Sequence, residues 1–98
     1  MTTRANFILR TYSESIICHD IVCSTVYSMR PEDLQGDTAL QNVLRTCVHD
    51  LKHRITTTQE TLNLVPTVHY LHTQLVCTLT ELEDALVCAT SLLGEIEK

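Results

Sequence analysis

The densest run of chemistry-bearing side chains lies between positions 45 and 54, where Arg45, His49, Lys52, His53 and Arg54 follow one another along a helical pattern. Three of the chain's seven Lys/Arg residues fall in this short stretch. Held on one rigid helix, such cations track a phosphate backbone in fixed register without reading bases. Thr56 and Gln59 continue the polar face. The same charges also suit a different arrangement. Across an antiparallel hairpin they come opposite Glu81, Glu83 and Asp84, where they pair on a solvated face. The sequence leaves both open.

Metal and nucleophile chemistry fare worse. His49 and His53 have the i,i+4 spacing of two ligands on one ion, His69 and His72 stand at i,i+3, and Cys77 falls opposite His53 in a hairpin. Zinc needs four such donors converging as a tetrahedron. By the heptad count His49, His53 and Cys77 project outward while His72 projects inward, and no Cys-x-x-Cys occurs. Cys18 and His19 are adjacent, so on a helix they point about 100° apart, a poor nucleophile–base pair. Glu81, Glu83 and Asp84 lie on an exposed side of the last helix, a poor setting for general acid–base work. There is no glycine-rich phosphate loop. Cys77 and Cys88, on one helix, are about 16 Å apart and cannot bridge each other. The reading is of a protein that is not an enzyme and takes no metal or cofactor.

The elements that position these residues follow from composition. With 98 residues, 2 Gly and 2 Pro, the chain lacks the turn punctuation of a many-stranded sandwich or barrel. The periodicity predicts an all-α, three-helix chain in a single domain. Helix 3–29 carries Ala5, Ile8, Tyr12, Ile16, Cys23 and Val26 on one face, with His19 filling the break. A turn spans 30–37, marked by Pro31 and Gly36. Helix 38–63 opens on Thr38-Ala39-Leu40-Gln41, a reciprocal capping pattern. Helix 66–97 starts with Pro66 in its first turn. Its steps of four and three through Val68, His72, Leu75, Leu79, Leu82, Leu86, Ala89, Leu93 and Ile96 form a coiled-coil-like seam. Leu71, Thr78, Ala85 and Leu92 flank that seam at seven-residue spacing.

The last two helices pair as a long antiparallel hairpin. At 1.5 Å per residue the final helix is about 48 Å long and overhangs its partner. The seam residues Val68, Leu75, Leu79, Leu82, Leu86, Leu93 and Ile96 are therefore assigned to self-association, giving a dimeric helical bundle. Fifteen threonines, mediocre helix formers, make packing the main source of helix stability.

Cys47-Val48-His49-Asp50-Leu51-Lys52, then Ile55-Thr56, Leu62 and Pro66-Thr67-Val68, resemble the second helix and following turn of the nodavirus RNA-silencing suppressors. That resemblance covers about twenty residues, and a Cys, a Lys, a Leu and a Pro at matching separations are its firm points. It implies a small all-helical dimer that binds double-stranded RNA along one face, with Lys52 matching a basic RNA-facing position. Asp50 and Thr57 stand where the family pattern calls for basic residues, and the third helix is longer than the family's.

The formal net charge of −5 argues against a general nucleic-acid binder but not against a single basic face. Five scattered cysteines, an odd number, and the lack of an Asn-x-Ser/Thr sequon favour a reducing cytoplasm or nucleus. No apolar run is long enough for a membrane span or signal peptide. The expected function is an oligomerising interaction or scaffold protein, in character a small viral accessory protein. Its partners are itself, another protein and, as the alternative, double-stranded RNA bound by Arg45, His49, Lys52, His53 and Arg54.

Overall fold

A computed structural model describes residues 19–97. All four regular elements of the described residues are helices: α1 over 19–27, α2 at Pro31–Leu34, α3 at Thr38–Leu64 and α4 at Tyr70–Ile96. The all-α reading and the long antiparallel hairpin are what the structure shows, with α3 packed along α4. The described chain is a rod of 53 × 19 × 17 Å. The expected first helix at 3–29 is helical over its described part and ends at 27, where the Ser28 and Met29 amides close the last turn on Ser24 and Val26 carbonyls. Positions 3–18 of that expectation lie outside the described residues.

The turn expected at 30–37 contains a helical turn of its own. Pro31 does not merely interrupt: it starts α2, because its fixed φ suits a first helical position and its missing N–H is not needed there. Glu32 and Asp33 sit in that first turn, where the helix dipole favours negative charge. The turn drives Leu34 fully into the core. Gly36 then takes φ 76°, a left-handed conformation that a side chain would strain.

The start of α3 is also corrected. Its cap is Asp37, whose carboxylate accepts from the Leu40 amide at 3.0 Å, and Thr38 is the first helical residue. Gln41 does not reach back to close a capping box. Its Nε2 donates to the Leu34 carbonyl at 2.7 Å and ties α2 to α3. Asp37→Ala should lower stability by about 1 kcal/mol, read as a shifted urea midpoint with unchanged slope.

The second connection differs more. Val65 leaves α3 in an extended conformation, and residues 66–69 form a separate turn closed by the His69 amide on the Pro66 carbonyl. The last helix begins at Tyr70, not Pro66, capped by His69 Nδ1 accepting from the Leu71 amide at 3.1 Å. The His69 ring stacks on Tyr70 at 4.7 Å. Val68 is thereby left outside the helix, 96% exposed. A further consequence is that α3 and α4 have 27 residues each, about 40 Å. The anticipated overhang of the final helix is absent.

Leu44, Cys47, Val48 and Leu51 of α3 meet Leu82, Ala85, Ala89 and Leu92 of α4, with Val26 from α1 and Leu34 from α2 completing the main core. A smaller cluster of Val65, Leu71 and Leu75 closes the hairpin end. The row of α4 that faces inward thus combines Leu75, Leu82 and Ala89 of the expected seam with Leu71, Ala85 and Leu92 of its flank. Leu79, Leu86 and Leu93 of the expected seam are only half-buried beside it.

Threonine finds its place through its hydroxyl. Thr25, Thr46, Thr56, Thr57, Thr61, Thr80 and Thr90 each donate to the carbonyl four residues earlier at 2.7–3.1 Å. The hydroxyls are satisfied within their own helices, a tolerable but slightly weakening arrangement.

Candidate functional site

The five basic-face candidates do not stay together. Residues 52 and 54 are two apart, hence about 160° apart round an α-helix. Lys52, His49 and Arg45 are exposed on one side of α3, while Arg54 turns toward α1. His53, also exposed, lines a cleft of about 210 Å³ beside Arg54, with His19, Asp50 and Thr57. The expected pairing with Glu81, Glu83 and Asp84 is not formed either. Arg45 instead pairs with Glu97 at 3.6 Å and donates to Asn42 Oδ1 at 3.3 Å. The longer connection slides α4 along α3, which brings Glu97 rather than the middle acids to Arg45.

Arg54 belongs to a half-buried polar chain that joins α1 to α3. Its Nε lies 3.1 Å from Asp50 Oδ2, one helical turn earlier, and its Nη1 lies 3.1 Å from His19 Nδ1. Arginine only donates, so Nδ1 accepts and the ring is the neutral tautomer with its proton on Nε2. That Nε2 is buried without a hydrogen-bond partner, and Arg54 Nε meets Asp50 outside hydrogen-bond geometry. Burial, reinforced by the Arg54 charge, holds the His19 pKa below its ordinary 6.5, against the opposing pull of Asp50 and Asp20. The sequence pattern placed His19 on the apolar face of the first helix. Nothing in the spacing told that Arg54 would reach it, although the Asp50/Arg54 i,i+4 pair was there to be read.

A second feature is the side of the hairpin away from α1. Cys23 of α1 and Cys88 of α4 both pack against the main core. Burial first, then neighbouring groups including Glu81, push up the Cys23 thiol and the Tyr27 hydroxyl, so α1 lies on the Glu81–Cys88 side of α4. Leu79, Leu86 and Leu93 lie about 160° round the helix from Glu81, Cys88 and Glu95 respectively. They form a half-buried line on a flank left open among the described residues, with Val76 and Val87 exposed beside it. Thr90 continues the line and folds its hydroxyl back onto the helix. Glu83 interrupts it with a negative charge. Across the groove, α3 supplies Arg45, His49 and Lys52.

Of the residues assigned to self-association, Leu75 and Leu82 are consumed by the chain's own core. Leu79, Leu86, Leu93 and Ile96 remain partly accessible, and Val68 stands exposed on the connection. The thiols of Cys23 and Cys47 are pushed up, first by burial and then by neighbouring carboxylates, Glu81 and Asp20 for Cys23 and Asp50 for Cys47. Such thiols are poor nucleophiles at neutral pH. Among the described residues no three His, Cys, Asp or Glu side chains converge as a metal site, and no helix is long and apolar enough to cross a membrane.

No family model, curated protein or solved structure matches the chain. Geometry and chemistry therefore carry the functional reading.

Proposed function

We propose that this chain is an oligomerising helical-bundle interaction protein whose second copy covers the open flank of the α3–α4 hairpin. The observation that carries the reading is the line Leu79, Leu86 and Leu93 with Val76 and Val87, interrupted on α4 by Glu83. Docked helices bury such a stripe in coiled-coil fashion. The flank is also self-complementary in charge. A two-fold axis through it sets α3 of one copy against α4 of the other, so that Lys52 and His49 approach the partner's acidic position 83. Interaction through this surface fits a small scaffold or viral accessory protein acting in the cytoplasm or nucleus.

The test is mass in solution. Light scattering at high micromolar concentration should give twice the 11.1 kDa chain mass. The double variant Leu79→Glu, Leu86→Glu should weaken the dimer at least about a hundredfold while the helical circular dichroism persists. A wild-type monomer at that concentration overturns the proposal.

The exposure of Arg45, His49 and Lys52 on one side of α3 supports duplex RNA as a second reading, now without Arg54 and His53. It requires a gel shift at low salt that weakens steeply as salt rises, with Lys52→Ala reducing affinity equally on all duplexes.

A further inference from the structure

We propose that α1 is latched to the hairpin by the neutral His19 ring and comes free when that ring takes up a proton. The latch is geometric. His19 is 6% exposed, and its Nδ1 receives the Arg54 guanidinium at 3.1 Å. A proton on Nδ1 removes that acceptor and sets two N–H donors, each on a cation, against each other in a half-buried contact. Among the described residues the charged groups around the ring are Asp20 from α1 itself and Asp50 and Arg54 from α3, with His53 lining the same cleft. On α4, Glu81 acts on Cys23, one turn further along α1.

The two aspartates do not rescue the protonated ring. Asp50 is already engaged with Arg54, and the balance of burial and Arg54 against both acids leaves the ring harder to protonate than free histidine. The sign follows. A base whose folded pKa lies below its unfolded value stabilises the docked state fully above that value, here 6.5. The contribution is lost as pH falls below 6.5 toward and through the lowered folded value. The α3–α4 contact rests on a main core that is apolar apart from the Cys47 thiol, with the Arg45–Glu97 ion pair exposed at its edge. Acid therefore acts on α1 selectively. Ser24, Thr25, Ser28 and Met29 line a second groove with Leu40 and Val43, and α1 departure would bare that surface and Val26's socket in the core. The device sits on the opposite side of the hairpin from the open flank, so it stands or falls independently of dimerisation.

Imidazole ¹⁵N spectra and amide hydrogen exchange of the intact chain test the latch. At neutral pH His19 should show the Nε2–H tautomer and should protonate only below 6.5. Between about pH 7.5 and pH 5, protection factors of residues 20–27 should fall about tenfold or more relative to those of α3 and α4. His19→Asn keeps an acceptor near the Nδ1 position and cannot titrate, so it should abolish that selective loss. Should His19→Asn not fold, the wild-type tautomer and exchange data decide alone. An Nδ1–H tautomer, unchanged α1 protection once the ring is charged, or the same loss in His19→Asn overturns the proposal.

Discussion

Leu82→Ala is expected to cost about 3–4 kcal/mol of folding free energy. Leu82 has no exposed surface and sits at mid-length on α4, in the one cluster that all four helices share. Removing its terminal isopropyl group forfeits the transfer energy of three carbons and leaves a void. Collapse into that void is hindered because the neighbours come from two long helices that meet along their whole length. A domain of this size has only about 5–15 kcal/mol in total, so the variant should melt about 15–25 °C lower. Urea unfolding followed by helical circular dichroism measures it. A loss below about 1 kcal/mol would mean that Leu82 is not enclosed as described.

The helices and their pairing were legible from the sequence because glycine and proline are scarce and leucine repeats at steps of three and four. Boundaries were less legible where a single residue has two uses. Pro31 reads as a breaker and as a first helical residue, and only Leu34 sinking into the core decides for the latter. Thr38 and Asp37 are both good caps, and Gln41's bond to the Leu34 carbonyl draws it away from the box that would favour Thr38. Pro66 could open α4, yet His69 caps three residues later and the hairpin register moves with it. That shift carried the overhang argument away and moved the case for a partner from the helix end to the helix flank. The candidate site was half legible. Charges at 45, 49 and 52 share a side as periodicity implies. The inward turn of Arg54 depended on α1, whose placement no local pattern encodes.

The sharpest question that the pattern left was which row of α4 faces inward, and Ala85→Leu answers it. Two rows compete: a large-residue row through Leu79, Leu86 and Leu93, and a row through Leu71, Leu75, Leu82, Ala85, Ala89 and Leu92. The four-three spacing of the expected seam draws on both, taking Leu79, Leu86 and Leu93 from the first and Leu75, Leu82 and Ala89 from the second. The structure instead buries Ala85 and Ala89 completely and leaves Leu86 half-buried. The physical reason is distance of approach. Alanines at 85 and 89 let α3 lie close against α4, so that Leu44 and Leu51, both without exposed surface, fill the space a larger residue would need. Three extra carbons at position 85 have nowhere to go, and Ala85→Leu should destabilise by about 2–3 kcal/mol through forced rotamers or helix separation. Were Ala85 on a flank, the same change would be neutral or mildly stabilising. Leu86→Ala supplies the contrast, since its half-accessible side chain should cost about 1–2 kcal/mol in the monomer. Measured side by side by urea unfolding at low concentration, Ala85→Leu should be the more damaging. The reverse order would put the leucine row inside and leave the open flank without the residues that a second copy needs.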